Sequence, residues 1–111
     1  MINVRLVMDR LDPPGLVALR ARGHAAADQG HISLVCGAFT ALLRSFAGAV
    51  ENAGIPAEIR AEGPGAFDFE LRSDQELNRD WFNGAAQVLL QGITDLEREY
   101  PEEIRIRVDR R

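Results

Sequence analysis

The sequence predicts a two-layer α/β sandwich: a mostly antiparallel sheet of about five strands with two helices on one face, in the order ββαββαβ. Five short stretches alternate apolar and polar residues with a period of two, and two longer ones repeat apolar residues every three or four positions. Each pattern is apolar on one side only, so each element has a single face to bury. A chain of 111 residues can build one such core but not two, so residues 1–111 read as a single domain.

Ile2, Val4, Leu6 and Met8 alternate with Asn3, Arg5 and Val7 in the first strand. The turn Asp12-Pro13-Pro14-Gly15 reverses the chain, and Val17, Leu19 and Ala21 alternate with Ala18, Arg20 and Arg22 in a second strand that ends at Gly23, completing a hairpin. From Ser33 to about Ala53 the spacing becomes helical, with Val35, Phe39, Leu42, Phe46, Ala49 and Ala53 on one face. Gly54 fits the C′ position and Pro56 bars continuation. Ala57, Ile59 and Ala61 mark a third strand, Gly63-Pro64-Gly65 a turn, and Phe67, Phe69 and Leu71 the inner face of a fourth. Ser73 and Glu76 fit a capping box opening a second helix, whose apolar stripe is Phe82, Ala86, Leu89, Ile93 and Leu96 and which Pro101 ends. Ile104, Ile106 and Val108 form the last strand.

Composition limits the function classes. Thirteen arginines and no lysine stand against 17 acidic residues, a net charge of −4, which argues against nucleic acid as a direct partner because phosphate binding needs a concentrated positive field. A single cysteine cannot form an internal disulfide, so Cys36 reads as a reduced thiol. No secretory signal opens the chain, and the apolar run from Leu34 to Leu43, stopped by Arg44, is too short to span a membrane. The cytoplasm is the expected compartment. One Cys and two His without clustered carboxylates make no ligand set, so neither metal nor other cofactor is expected.

The chemistry concentrates between Gly23 and Thr40. His24 follows the second strand, and Cys36, twelve positions later, falls in the first turn of the first helix if Ser33 is its N-cap. A helix N-terminus carries partial positive charge and unpaired N–H groups, which favour a thiolate and can hold an oxyanion. Gly37 leaves room for a substrate backbone, and His24 can take the thiol proton and return it to a leaving amine. Against this stands the ordinary use of a lone helical cysteine as a small buried hydrophobe, and of a histidine as a hydrogen-bonding strand end. His31 ranks behind His24 as a base, and Thr40, on the same helix face as Cys36, has the alternative of bonding back to its own helix. Gly37, Ala41, Ser45 and Gly48 form a row of small residues suited either to packing within the chain or to a dimer contact. Trp81 and Tyr100 read as core or interface residues.

Gly23-His24-Ala25, the twelve-position interval to Cys36, the run Leu-Val-Cys-Gly-Ala-Phe-Thr-Ala-Leu-Leu from Leu34 to Leu43, and Glu99-Tyr100-Pro101 together resemble the ribosomal-processing cysteine protease family, Prp. The resemblance covers nearly the whole chain. It implies a thiol endopeptidase that trims the N-terminal extension of a large-subunit ribosomal protein, with Cys36 as nucleophile and His24 as general base. It also implies a homodimer with a mobile segment at Ala25–Ile32, a ribosomal protein N-terminal peptide as substrate, and no membrane partner. Where the family usually places Asp three positions before the cysteine, this chain has Ser33, which can still cap the helix but cannot orient an imidazolium by charge, a task that passes to another group such as Asp28. Thr40 keeps the hydroxyl that the family carries as Ser. The alternative reading is a non-catalytic, ribosome-associated binding module on the same scaffold.

Overall fold

A computed structural model describes residues 1–23, 34–61, 63, 65–72 and 78–111. The elements follow the expected order: β1 (Ile2–Met8), β2 (Leu16–Arg22), α1 (Leu34–Asn52), β3 (Ala57–Arg60), β4 (Ala66–Leu71), α2 (Arg79–Glu99) and β5 (Ile104–Arg110). The five strands form one sheet in the order β3-β4-β2-β1-β5, antiparallel throughout except where β5 runs parallel to β1. The helices connect β2 to β3 and β4 to β5, so each crosses towards an opposite edge of the sheet. Both pack on the face that presents Ile2, Val4, Leu6, Leu19, Ala21, Phe69 and Ile104.

Three aromatic rings fix the centre of that layer. Phe46 of α1 meets Phe69 of β4 edge-on, with ring centroids 5.1 Å apart, and Phe82 of α2 stacks on Phe69 at 5.9 Å. One interlocked cluster thus joins both helices to the sheet, with the offset and edge-to-face geometries that ring quadrupoles favour. The helices pack tightly at Gly92, where an added methyl carbon would stand 2.9 Å from Leu42 Cδ1.

The helix ends carry their own signals. Gly54, at φ 69°, donates its N–H to the Glu51 carbonyl and Ile55 to that of Val50, the paired bonds of a Schellman motif, with Val50 and Ile55 both buried. The second helix begins later than the sequence pattern suggests. Its cap is Asn78, whose side-chain oxygen accepts from the Trp81 N–H at 3.2 Å, so Ser73 does not cap this helix; Ser73 to Glu76 lie outside the described residues. Asn is as good a cap as Ser, and the expected capping box merely sat one turn too early.

Other departures have local causes. The buried stripe of α1 is Val35, Phe39, Leu43, Phe46 and Val50, so Leu42 is half-buried against α2 and Ala53 is exposed beyond the helix end. In β2 a bulge opposite Val7–Met8 shifts the pairing from Val7↔Ala18 to Met8↔Leu16, which turns Leu16 rather than Val17 into the core. Val108 is 51% exposed: β5 is an edge strand whose far end the helix does not cover. Trp81 and Tyr100 are exposed and belong to no core, Tyr100 serving as the C-cap of α2 through its N–H to the Leu96 carbonyl.

Candidate active site

Helix α1 begins at Leu34, which makes Cys36 its third residue and puts the thiol in the first turn, as the sequence reading requires. The side chain is half-buried rather than sealed in the core. It lines a cavity of about 330 Å³ between the start of α1, the end of β2 and the β3–β4 turn. Thr40 and Arg44, one and two turns further along α1, line the same cavity, as do Phe39 and Leu43 from the flank of that helix. The opposite wall is made of small residues, Ala61, Gly63, Gly65 and Ala66, with Phe67 beside them. Arg44 is the one charged side chain among the described lining residues, so the cavity is largely apolar with a cation on the helix side.

Gly23 is required where it stands. Its φ is 101°, and a methyl carbon added there would lie 2.2 Å from the Met1 carbonyl oxygen. Its N–H donates to the Gly65 carbonyl at 2.9 Å, which ties the end of β2 to the β3–β4 turn. The strand end that leads into His24 is therefore pinned at the wall of the cavity that Cys36 also lines. Gly37 plays a different part: it is exposed, and among the described residues a methyl group there would meet nothing within 4 Å.

Of the predicted site residues, the structure brings Gly23, Cys36 and Thr40 to one cavity and leaves Gly37 on the adjoining exposed surface. His24, His31, Ser33 and the segment 25–32 lie outside the described residues. Sequence reading missed Arg44, which a helical spacing of four from Thr40 would have found, and the wall from Ala61 to Phe67, which no local pattern reveals. That wall arrives through the pairing of β4 with β2, Ala21↔Phe67 and Arg22↔Ala66. Among the described residues no group of three or more His, Cys, Asp or Glu is placed to hold a metal ion.

The family model described as cysteine protease Prp matches residues 1–105. The chain belongs to that family. A ribosomal processing protease Prp from Staphylococcus aureus, in complex with a covalently linked product peptide, superposes with a TM-score of 0.84 at 22% identity, over 98% of this chain and 100% of that one. The same S. aureus protease in complex with a substrate peptide gives 0.80 at 23% identity, with the same shares covered. A Streptococcus mutans protein gives 0.83 at 20%, over 100% of this chain and 96% of its own. No curated protein matches the chain. At these identities the superpositions establish the Prp fold, and the family match establishes membership of a cysteine protease family.

Proposed function

We propose that this chain is an active cysteine endopeptidase that removes an N-terminal extension from a ribosomal protein of its own organism. The observation that carries the reading is the placement of Cys36 in the first turn of a helix, half-buried on a largely apolar cavity, in a chain of the Prp family. The S. aureus relative, a ribosomal processing protease captured with a covalently linked product peptide, supplies the substrate class. On this reading the chain works as one catalytic domain over residues 1–111, in the cytoplasm.

In the proposed reaction His24 removes the Cys36 proton and the thiolate attacks the scissile carbonyl carbon. The oxyanion is held by backbone N–H groups of the first turn of α1. The C–N bond then breaks, His24 protonates the leaving amine, and water hydrolyses the thioester to release the acid and restore the thiol. Gly23 supports the role of His24, because the residue next to that histidine lines the same cavity as Cys36. Thr40 lies one helical turn beyond the thiol on the cavity wall. On this reading Ser33, standing where the family usually has Asp, offers a hydroxyl but no charge, so the orientation of His24 falls to another group such as Asp28.

The chain also reads as a homodimer. Gly37, Ala41 and Ser45 are exposed, and among the described residues no other element stands within 4 Å of a methyl built on Gly48. A row of small residues that the described sheet and second helix leave uncovered supports a contact with a second copy. By length and composition α1 would also suit a membrane crossing, but its Val35-to-Val50 stripe is buried against the sheet.

The test is incubation of the purified protein with the host ribosomal protein carrying its N-terminal extension, followed by intact-mass measurement. Wild type yields one shortened product, whereas Cys36→Ala and His24→Ala yield none. An uncleaved substrate with wild type, while the protein still binds the tail, would favour the binding-module alternative.

A further inference from the structure

The face of the sheet turned away from both helices carries an arginine array that no part of the peptidase reading uses. In register, Arg5 of β1 stands directly between Arg20 of β2 and Arg107 of β5, and Asn3 stands between Arg22 and Arg105. Alternation along each strand sends all six side chains to the outer face, where they are exposed. Five of the chain's thirteen arginines are thus gathered into two adjacent rows across three neighbouring strands, around a shallow depression of about 460 Å³. Directly opposed like charges on one sheet face are destabilising, so the array is a poor way to build a sheet for its own sake.

Its internal compensation is partial. Asp109 is shared by Arg5 and Arg107, the second at 3.4 Å, and Asp68 takes Arg22 through two bonds of 2.8 Å. Arg20 faces Asp68 across β2 and β4 and adds to its attraction, but neither Arg20 nor Arg105 closes an ion pair within 4 Å among the described residues. A net positive patch therefore persists on a chain whose overall charge is −4, and an acidic total does not prevent a local positive field from attracting a polyanion. The outer positions that make the patch, Asn3, Arg5, Arg20, Arg22, Arg105 and Arg107, include no aromatic ring on which a base could stack. Planar guanidinium forks match phosphate oxygens two at a time.

We propose that this face binds the phosphate backbone of RNA, without reading its sequence. RNA binding at this face is independent of the chemistry of Cys36, which lies on the helix-covered side, and it departs from the expectation that net charge alone sets. What total charge could not disclose is the register that stacks residues 5, 20, 22, 105 and 107 side by side.

The test is fluorescence anisotropy of a labelled 20-nucleotide single-stranded RNA of mixed sequence, titrated with the full chain between 50 and 200 mM salt. Binding is expected to weaken with salt along a log–log slope of about −2 to −3.5, corresponding to roughly three to five phosphate contacts. The double variant Arg20→Ala/Arg105→Ala is expected to reduce the magnitude of that slope by about 1.4 and to weaken every RNA sequence alike. Both side chains are exposed, so its melting temperature checks that the fold is kept. Arg79→Ala, on α2, and Cys36→Ala are expected to bind RNA as wild type does. Four outcomes overturn the proposal: no salt-dependent binding; equal loss in Arg79→Ala; competition by polyglutamate of equal charge as strong as by RNA, which would make the face an acidic-polypeptide site; or a change in self-association, with RNA binding intact, in the array variants.

Discussion

Gly23 joins the fold to the site in a single residue. Its φ of 101° and the Met1 carbonyl 2.2 Å from any added Cβ leave no side chain an unstrained place. Gly23→Ala is therefore expected to destabilise the chain by about 1–3 kcal/mol and to loosen the strand end that leads into His24, read as a lowered melting temperature together with slower peptide cleavage. Gly37 gives the opposite signature. With no described residue in the way of an added methyl in this helix, Gly37→Ala is expected to stabilise α1 by about 0.5–1 kcal/mol. If a substrate backbone passes over that position, the same change slows cleavage. A raised melting temperature with unimpaired turnover would show that the substrate does not approach there. The place of Cys36 in the first turn of α1 was legible from sequence, because the helical spacing begins there. Its cavity was not, since Gly65 and Phe67 reach the site only through strand pairing.

At the scale of the element, helix boundaries were the least legible part of the chain. The apolar stripe of α2 fixed its existence and face, Phe82, Ala86, Leu89 and Ile93 all being buried. The cap did not follow, because Ser73 and Asn78 are both good N-cap residues and only tertiary packing selects between them. Asn78→Ala is expected to cost about 1 kcal/mol in thermal or urea unfolding, and Ser73→Ala much less. The β2 bulge was hidden for a related reason: Leu16 and Val17 are both apolar, and a period-two pattern cannot say which of them turns inward. For β5 the alternation of Ile104, Ile106 and Val108 was read correctly as a strand, but edge position, which leaves Val108 exposed, is a property of the sheet rather than of the segment. Its outward Ile106 N–H donates to the Glu97 carboxylate of α2 at 2.6 Å, so the helix guards part of the open edge.

Across the whole molecule, the charged outer face contributes to how the fold responds to acid. Asp68 is held below its ordinary value of 3.8 chiefly by its hydrogen bonds to Arg22, with Arg20 and Arg60 adding to the attraction. Asp109 is held low chiefly by its hydrogen bond to Arg5, and Arg107 contributes. Both carboxyls bind protons less readily folded than unfolded. Their contribution to stability is therefore present above pH 3.8 and is lost as the pH falls through the depressed folded values. Asp68→Asn is expected to lower the melting temperature slightly at pH 7 and to matter progressively less as the pH falls below 3.8, and added salt should shrink the difference because both pairs are exposed. That the sheet has one apolar and one charged face could be read from alternation alone. Which charges become neighbours could not, because the parallel pairing of β1 with β5 joins residues about a hundred positions apart.

The account rests most heavily on Cys36 as a nucleophile, and the direct measurement is an acid-quenched reaction of the protein with its extended ribosomal substrate, analysed by mass spectrometry of the Cys36 peptide. A substrate-derived acyl group on Cys36 that is absent in Cys36→Ala and decays as product appears is the predicted result. Product formation with Cys36 unmodified at every time point, or cleavage sustained by Cys36→Ala, would contradict it.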